Sequence, residues 1–182
     1  MDAPSAQGSR TWLAVRDELA TLLGEVDASS FAGAVAELRS GDRRWFTTGE
    51  GRSGLVARMT AMRLMHLGRH VHVLSEATAP AVRAGDGLLV ISGSGETPVS
   101  LHFARRAVEI GARTLAVTAN ATSTLAGLAH VVLEVPRVQT RQFGGSLFEQ
   151  GALLVMDSVV MALAAGQDGA HEQMQARHTN MQ

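Results

Sequence analysis

From Arg43 onward the sequence alternates short apolar runs with longer segments of helical periodicity, and this alternation restricts the chain to few architectures. Five of the apolar runs have the length and composition of strands: RWFTT, VHVLS, GLLVIS, TLAVTA and VVLEV. Strands that alternate with helices usually form a parallel sheet with helices on both faces. We therefore predict an α/β fold with a five-stranded parallel sheet flanked by helices, in the flavodoxin-like strand order 2-1-3-4-5.

The ends of the helices can be read from capping residues. Apolar residues at helical spacing over positions 11–40 predict two N-terminal helices, and the segment DASSF between them offers Asp27 or Ser29 as a cap for the second. A last apolar helix is expected over 146–165. Two more helices are expected to end where glycine can serve as the C′ residue: 55–67 before Gly68 and 97–110 before Gly111.

The length of 182 residues and a hydrophobic content of 46% suffice for one domain with one substantial core. We expect a single domain over residues 1–182. It would comprise N-terminal helices at 8–40, an α/β core at 43–165 and a C-terminal tail at 166–182.

Composition excludes several classes of chemistry. The formal net charge is -1, so no general attraction to nucleic acid or to an anionic membrane is expected. The chain has no Cys, and its sixteen basic residues are all Arg, which excludes thiol nucleophiles, Schiff-base aldolases, pyridoxal enzymes and Walker-type phosphate loops. No apolar run reaches the roughly 18 residues of a membrane span, and the polar start lacks a signal-peptide core. We expect a cytoplasmic protein.

Two glycine-rich turns follow the first and third predicted strands. GEGRSG, residues 49–54, has the G-x-G-x-x-G spacing of a dinucleotide-binding turn, and Glu76 could stand for the acidic residue of that motif. SGSGET, residues 92–97, repeats the arrangement, and in the expected strand order both turns flank one crevice. Side chains in the turns favour a monophosphate over a dinucleotide, and the candidate binding residues are Gly51, Arg52, Ser53, Ser92, Ser94 and Thr97. The alternative is that they are ordinary turn and cap residues.

Neither the methionines nor the histidines suggest a metal site. Met59, Met62 and Met65 have the spacing of a helix face, which we interpret as core packing. The histidines form no pair at ligand spacing, and we expect no metal.

GEGRSG, SGSGET and especially GGSLFEQGALLVMD resemble the sugar isomerase (SIS) domain family, and within it the 6-phospho-3-hexuloisomerases of the ribulose monophosphate pathway of formaldehyde assimilation. The similarity extends from about Arg43 to the C-terminus, and RSGLVARMTAMRLMHLG and GSLFEQGALL are the most specific segments. The resemblance implies a dimer or tetramer with active sites between subunits. It also implies interconversion of 3-hexulose 6-phosphate and fructose 6-phosphate without metal or organic cofactor, with possible coupling to a hexulose-phosphate synthase.

The resemblance assigns roles to individual residues. Moving a carbonyl by one carbon needs a base that takes a proton from the neighbouring carbinol carbon and returns it to the other carbon. The resemblance places this base at Glu149. Asp157, eight residues later and close to the same helix face, is an alternative base or orienting partner, and structural capping or a subunit-interface contact is its other interpretation. Arg52 could neutralise phosphate or enediolate charge. The alternatives are a helix first-turn glutamate for Glu149 and a surface or interface ion pair for Arg52.

The tail RHTNMQ resembles the end of the family sequence, although Gln182 stands where an acidic residue is usual. His178 could therefore move protons between substrate oxygens, in a neighbouring subunit's site. The alternative is a frayed polar terminus. Two other functions stay open at this point: a non-catalytic phosphosugar sensor and, third, a dinucleotide oxidoreductase.

Overall fold

A computed structural model describes residues 10–39, 43–165 and 167–181. Its strands are β1 (Trp45–Gly49), β2 (Val71–Val73), β3 (Gly87–Ile91), β4 (Arg113–Thr118) and β5 (Val131–Glu134). All neighbouring strands are parallel, and their order is β2-β1-β3-β4-β5. The predicted α/β class and the predicted strand order are both confirmed.

The helices are α1 (Thr11–Gly24), α2 (Ala28–Arg39), α3 (Arg52–His66), α4 (Pro98–Ile110), α5 (Thr124–Leu128), α6 (Ser146–Ala164) and α7 (Ala170–Ala176). Asp27 caps α2 by accepting a hydrogen bond from the Ser30 N–H at 2.6 Å, as expected. Gly68 and Gly111 have φ of 83° and 84° and end α3 and α4 as predicted. The capping residues therefore predicted where α2 begins and where α3 and α4 end.

The sheet is buried on both faces because its strands carry large apolar side chains on both sides. Trp45 and Leu89 face the layer that contains α1, α2, α3 and α6. Phe46 and Leu88, their neighbours in sequence, face the layer of α4 and α5. The continuous apolar runs of the sequence therefore correspond to strands with no solvent-facing side.

The interpretation of the methionine stripe as core packing is wrong. Met59, Met62 and Met65 are 42%, 43% and 39% exposed, and Leu55 on the same helix is 60% exposed. The buried side of α3 consists mostly of smaller residues, namely Ser53, Val56, Ala57, Thr60, Ala61 and Leu64. Small side chains let the helix lie close to the sheet, so the bulkier methionines point outward.

Helix α6 is long and apolar enough, by length and composition alone, to cross a membrane, which the sequence analysis did not anticipate. Its mean hydropathy is 1.6, and 44% of the relevant window is buried inside the protein. The helix packs against α1, α2 and α3 and carries the carboxylates of Glu149 and Asp157. These features are those of a core helix of an α/β fold.

Candidate functional site

Both glycine-rich turns lie at the carboxyl edge of the sheet, on neighbouring strands. Gly49 at the end of β1 is paired with Ile91 at the end of β3. A Cβ atom added to Gly54 would lie 2.6 Å from the Gly49 carbonyl oxygen, so only glycine lets the start of α3 approach the end of β1 this closely. Gly51, at φ 56°, turns the chain so that α3 begins at Arg52 rather than at the predicted position 55.

A cleft of about 490 Å³ opens beside these turns, where the sequence analysis expected the crevice. It lies between the first turn of α6, the two glycine-rich turns, α1 and the chain after β5. The residues that line it are Leu22, Ser53, Gly93, Ser94, Ala119, Pro136, Arg137, Val138, Thr140, Gly144, Gly145, Leu147, Phe148 and Glu149.

The structure brings three of the candidate residues together in this cleft: Ser53, Ser94 and Glu149. Ser53 is mostly buried, with 8% of its surface exposed. Ser94 is exposed, and its Oγ accepts a hydrogen bond from the Glu96 N–H at 3.1 Å. Two hydroxyls and one carboxylate therefore face the same space.

Four other binding candidates do not line the cleft: Gly51, Arg52, Ser92 and Thr97. Ser92 is buried, and its Oγ lies 3.1 Å from the Thr97 Oγ1 in a hydrogen bond within the second turn. Gly51 borders a separate cavity of about 320 Å³, together with Glu50 and Arg58. In this conformation Ser92 and Thr97 hold the second turn in shape, and Gly51 shapes the first.

Glu149 forms an ion pair with Arg52, whose Nε lies 2.6 Å from Glu149 Oε2. The pair is not aligned as a hydrogen bond, and Oε2 is buried without a hydrogen-bond partner among the described residues. The Glu149 side chain is 17% exposed, and the Arg52 guanidinium also donates to Ser146 Oγ at 3.3 Å. A carboxylate that lines a cleft can accept a proton from a bound molecule, and a cation beside it can stabilise the negative charge that results.

The glycines of the second turn allow α6 and α5 to approach it. A Cβ atom on Gly93 would lie 2.9 Å from the Phe148 ring, and one on Gly95 would collide with the Ser123 side chain. Glu96 Oε1 accepts a hydrogen bond from the Thr124 N–H at 2.7 Å, and this bond lowers the pKa of Glu96. The second turn is therefore anchored to the start of α5.

Sequence reasoning missed one side of the cleft. Leu22 on α1 and the residues Pro136, Arg137, Val138 and Thr140 after β5 were not singled out, although all of them line it. The position of the latter four directly after a strand at the carboxyl edge was a usable signal, since ligands bind at that edge in α/β sheets. Leu22 gave no such signal, because it is far from the other residues in sequence.

His178 lies away from the cleft of its own chain. Its ring stacks on that of His66 with centroids 5.3 Å apart, and the Arg177 guanidinium donates to the His66 carbonyl at 3.2 Å. His66 is the last residue of α3 and Arg52 the first, so the two lie at opposite ends of a 15-residue helix, about 20 Å apart. Burial, followed by the charges of His178 and Arg63, lowers the pKa of His66.

Asp157 also lies outside the cleft, with its Oδ1 3.9 Å from Arg63 Nε on α3. Over residues 10–39, 43–165 and 167–181, no group of three or more His, Asp or Glu side chains could hold a metal ion. The polar side chains that line the cleft are the Glu149 carboxylate, the hydroxyls of Ser53, Ser94 and Thr140, and the Arg137 guanidinium.

Comparison with known proteins assigns the chain to a family. The model of the SIS domain matches residues 37–165, which include both glycine-rich turns and the helix that carries Glu149. The chain belongs to the SIS domain family.

Several relatives of this SIS protein carry a specific name. The 3-hexulose-6-phosphate isomerase of Mycobacterium gastri is 43% identical over 176 residues, covering 92% of this chain and 88% of the relative. That of Bacillus subtilis is 36% identical over 146 residues, with coverage of 75% and 79%. A Methanococcus jannaschii crystal structure, from which a function of 3-hexulose-6-phosphate isomerase was inferred, superposes with a TM-score of 0.83 at 26% identity. It covers 94% of this chain and 99% of that one.

Proposed function

We propose that this SIS protein is a 3-hexulose-6-phosphate isomerase, which interconverts 3-hexulose 6-phosphate and fructose 6-phosphate. The observation that supports the chemistry is the Glu149 carboxylate, which lines the cleft beside both glycine-rich turns and forms an ion pair with Arg52 at 2.6 Å. Relatives with this name that align with most of the chain support the choice of substrate.

In the proposed reaction Glu149 takes the proton from C2 of the 3-ketohexose, which gives an enediolate with a double bond between C2 and C3. The same carboxyl group returns the proton to C3. The proton of the C2 hydroxyl passes to the C3 oxygen, so that C2 carries the new carbonyl and C3 the new hydroxyl. Arg52, 2.6 Å from the carboxylate, is placed to stabilise the negative charge on the enediolate oxygen. The reaction needs no net oxidation and, in this proposal, no metal or organic cofactor.

The phosphate would be bound at the two glycine-rich turns. Ser53 and Ser94 present hydroxyls to the cleft, and the first turn of α3 presents backbone N–H groups at the positive end of its dipole. Gly51, Ser92 and Thr97 would act by shaping the turns.

We extend the proposal to assembly and location. The single domain over 1–182 would form a homodimer or homotetramer in the cytoplasm, with possible coupling to a hexulose-phosphate synthase. Exposed apolar residues of adjacent helices support an interface on this side: Leu55, Met59 and Met62 on α3, and Leu154 and Met161 on α6. Since His178 does not reach the cleft of its own chain, a proton-transfer role for it requires a neighbouring subunit.

A coupled assay tests the function. 3-Hexulose 6-phosphate is supplied in chelator-treated buffer, and fructose 6-phosphate is detected. Wild type should turn over and Glu149→Gln should lose at least about 1000-fold in kcat, because removal of a general base acting in both proton transfers has an effect of this order. Glu109→Gln, which removes an exposed carboxylate on α4, is the control and should retain activity.

Binding of the sugar phosphate is measured in parallel by calorimetry. Binding without turnover in wild type would contradict the isomerase and favour a phosphosugar sensor. Full activity of Glu149→Gln would contradict the assignment of the base.

A further inference from the structure

The chain between β5 and α6, residues 135–145, is called the cleft loop below. Six of its residues line the cleft, more than from any other segment: Pro136, Arg137, Val138, Thr140, Gly144 and Gly145. It leads directly into the first turn of α6, which carries Glu149. The conformation of the cleft loop therefore sets both the shape of one wall and the entry to the helix of the proposed base.

One carboxylate from a distant part of the sequence holds this loop. Glu18 Oε1 on α1 accepts a hydrogen bond from the Arg141 N–H at 2.9 Å. Its Oε2 accepts from Thr140 Oγ1 at 2.8 Å and from Gln142 Nε2 at 3.0 Å. Three consecutive residues of the loop thus donate to the two oxygens of one side chain.

The cleft loop has few other attachments. Among the described residues, the hydrogen bonds that join 136–142 to the rest of the protein all end on Glu18. The bond from the Gln142 N–H to Thr140 Oγ1 is internal to the loop. Val138 packs against the core and supplies an apolar anchor, and the polar attachment of the loop comes from the hydrogen bonds of Thr140, Arg141 and Gln142 to Glu18.

The same face of α1 also contributes to the cleft directly. Leu22, one helical turn after Glu18, is 1% exposed and lines the cleft wall. Hydrogen bonds from Arg141, Gln142 and Thr140 lower the pKa of Glu18, so the carboxylate stays ionised throughout the neutral range. Helix α1 lies before the matched SIS region, residues 37–165, and thus adds to the site from outside it.

We propose that Glu18 is a positioning residue that holds the cleft loop in the conformation that binds the sugar phosphate. The hydrogen bonds that Glu18 accepts come from Thr140, Arg141 and Gln142, and through these residues it would act on the cleft. The inference rests on the proposed function for its kinetic readout, but the order of the loop can be measured without any substrate.

The test compares wild type with Glu18→Gln, which keeps the size of the side chain and removes its charge and one of its two acceptor oxygens. KM for 3-hexulose 6-phosphate should rise about five- to tenfold with kcat within about twofold, because only a fraction of molecules hold the binding-competent loop. Hydrogen exchange of the peptide covering 136–145 should be about tenfold faster in the variant, without ligand. Asp17→Asn, whose partner Arg16 is its immediate neighbour on α1, is the matched control and should change neither quantity.

The outcomes separate this inference from the proposed function. Faster exchange confined to 136–145 supports the loop role even if wild type shows no turnover, which would contradict only the isomerase. Unchanged exchange and unchanged KM in an active enzyme overturn the positioning role. A fall in kcat at constant KM, or faster exchange throughout the chain, overturns it as well.

Gln142→Leu provides a second route if Glu18→Gln does not fold. It removes one donor to Glu18 from a residue that does not line the cleft. It should raise KM and loop exchange by less than Glu18→Gln, about two- to threefold, in proportion to the single bond lost. No change in either quantity would overturn the inference.

Discussion

Glu37→Gln tests how strongly the second helix is fastened to the sheet. Glu37 on α2 accepts hydrogen bonds from Arg113 at the start of β4, at 3.1 Å from Nε and 2.8 Å from Nη2. It also accepts one from Arg43 Nη1 at 2.7 Å, just before β1. The carboxylate therefore links α2 to the start of β4 and to the residues just before β1, at the amino edge of the sheet. The Glu37 side chain is only 10% exposed.

The expected loss in the free energy of unfolding is about 2 kcal/mol. Three hydrogen bonds to a charged acceptor would each contribute about 1.5–3 kcal/mol when fully buried. Glutamine keeps one acceptor oxygen, and water can reach Arg113 and Arg43, whose side chains are 39% and 19% exposed. Because of the retained oxygen and the access of water, the variant should lose less than half of the summed contribution of the three hydrogen bonds.

The dependence on pH has a definite sign. The Arg113 hydrogen bond, opposed by burial and reinforced by the charges of Arg113 and Arg43, lowers the pKa of Glu37 below its ordinary value. The Glu37 carboxylate therefore makes its full contribution to the free energy of unfolding above the pKa of the unfolded state, about 4.3. This contribution is lost as the pH falls through the lower pKa of the folded state. The difference between wild type and variant should be constant from about pH 6 to 8 and shrink below about pH 4.5.

Urea unfolding at fixed protein concentration measures this difference at pH 7.5 and pH 4. Glu109→Gln, in the exposed ion pair with Arg106 on α4, is the control and should lose at most about 0.5 kcal/mol. A Glu37→Gln effect no larger than that of the control, or one that does not change with pH, would refute the reasoning.

Two further predictions concern other parts of the fold. Gly95→Ala should destabilise the protein by at least about 2 kcal/mol, because Gly95 has φ 68° and an added Cβ would collide with Ser123. The control Gly127→Ala, at a position on α5 with open space around it, should not be destabilised in this way. Equal urea midpoints for the two variants would contradict the prediction. His66 has a pKa lowered by burial, so unfolding is favoured as pH falls below its unfolded pKa of about 6.5. The melting temperature of His66→Leu should therefore fall less than that of wild type between pH 7.5 and pH 5.5. Equal falls in the two proteins would contradict this prediction.

The strands and their order followed from the sequence because the pattern is local and repeated. Each apolar run is short, lies between helical segments, and in two cases follows a glycine that ends a helix, at Gly68 and Gly111. Such signals depend on residues within a few positions of one another. The strand order then followed from the limited number of ways to wind a parallel sheet.

The same reasoning failed where contacts cross the fold. The periodicity of Met59, Met62 and Met65 identified a helix face correctly but could not tell which face meets the sheet, since α3 buries its smaller residues instead. Pairing of Glu18 with the loop after β5 spans 123 positions and leaves no local pattern. The short helix α5 has too few residues for a periodic signal.

Helix α3 meets different surroundings on each part of its surface. Its first residue contacts Glu149, its last stacks on His178, one side packs on the sheet and the opposite side exposes Leu55 and Met59. Changes that shift or rotate this helix would disturb several of these neighbours together. In a scan of all single substitutions we therefore expect α3 to accept fewer replacements than α4, even at positions with similar solvent exposure.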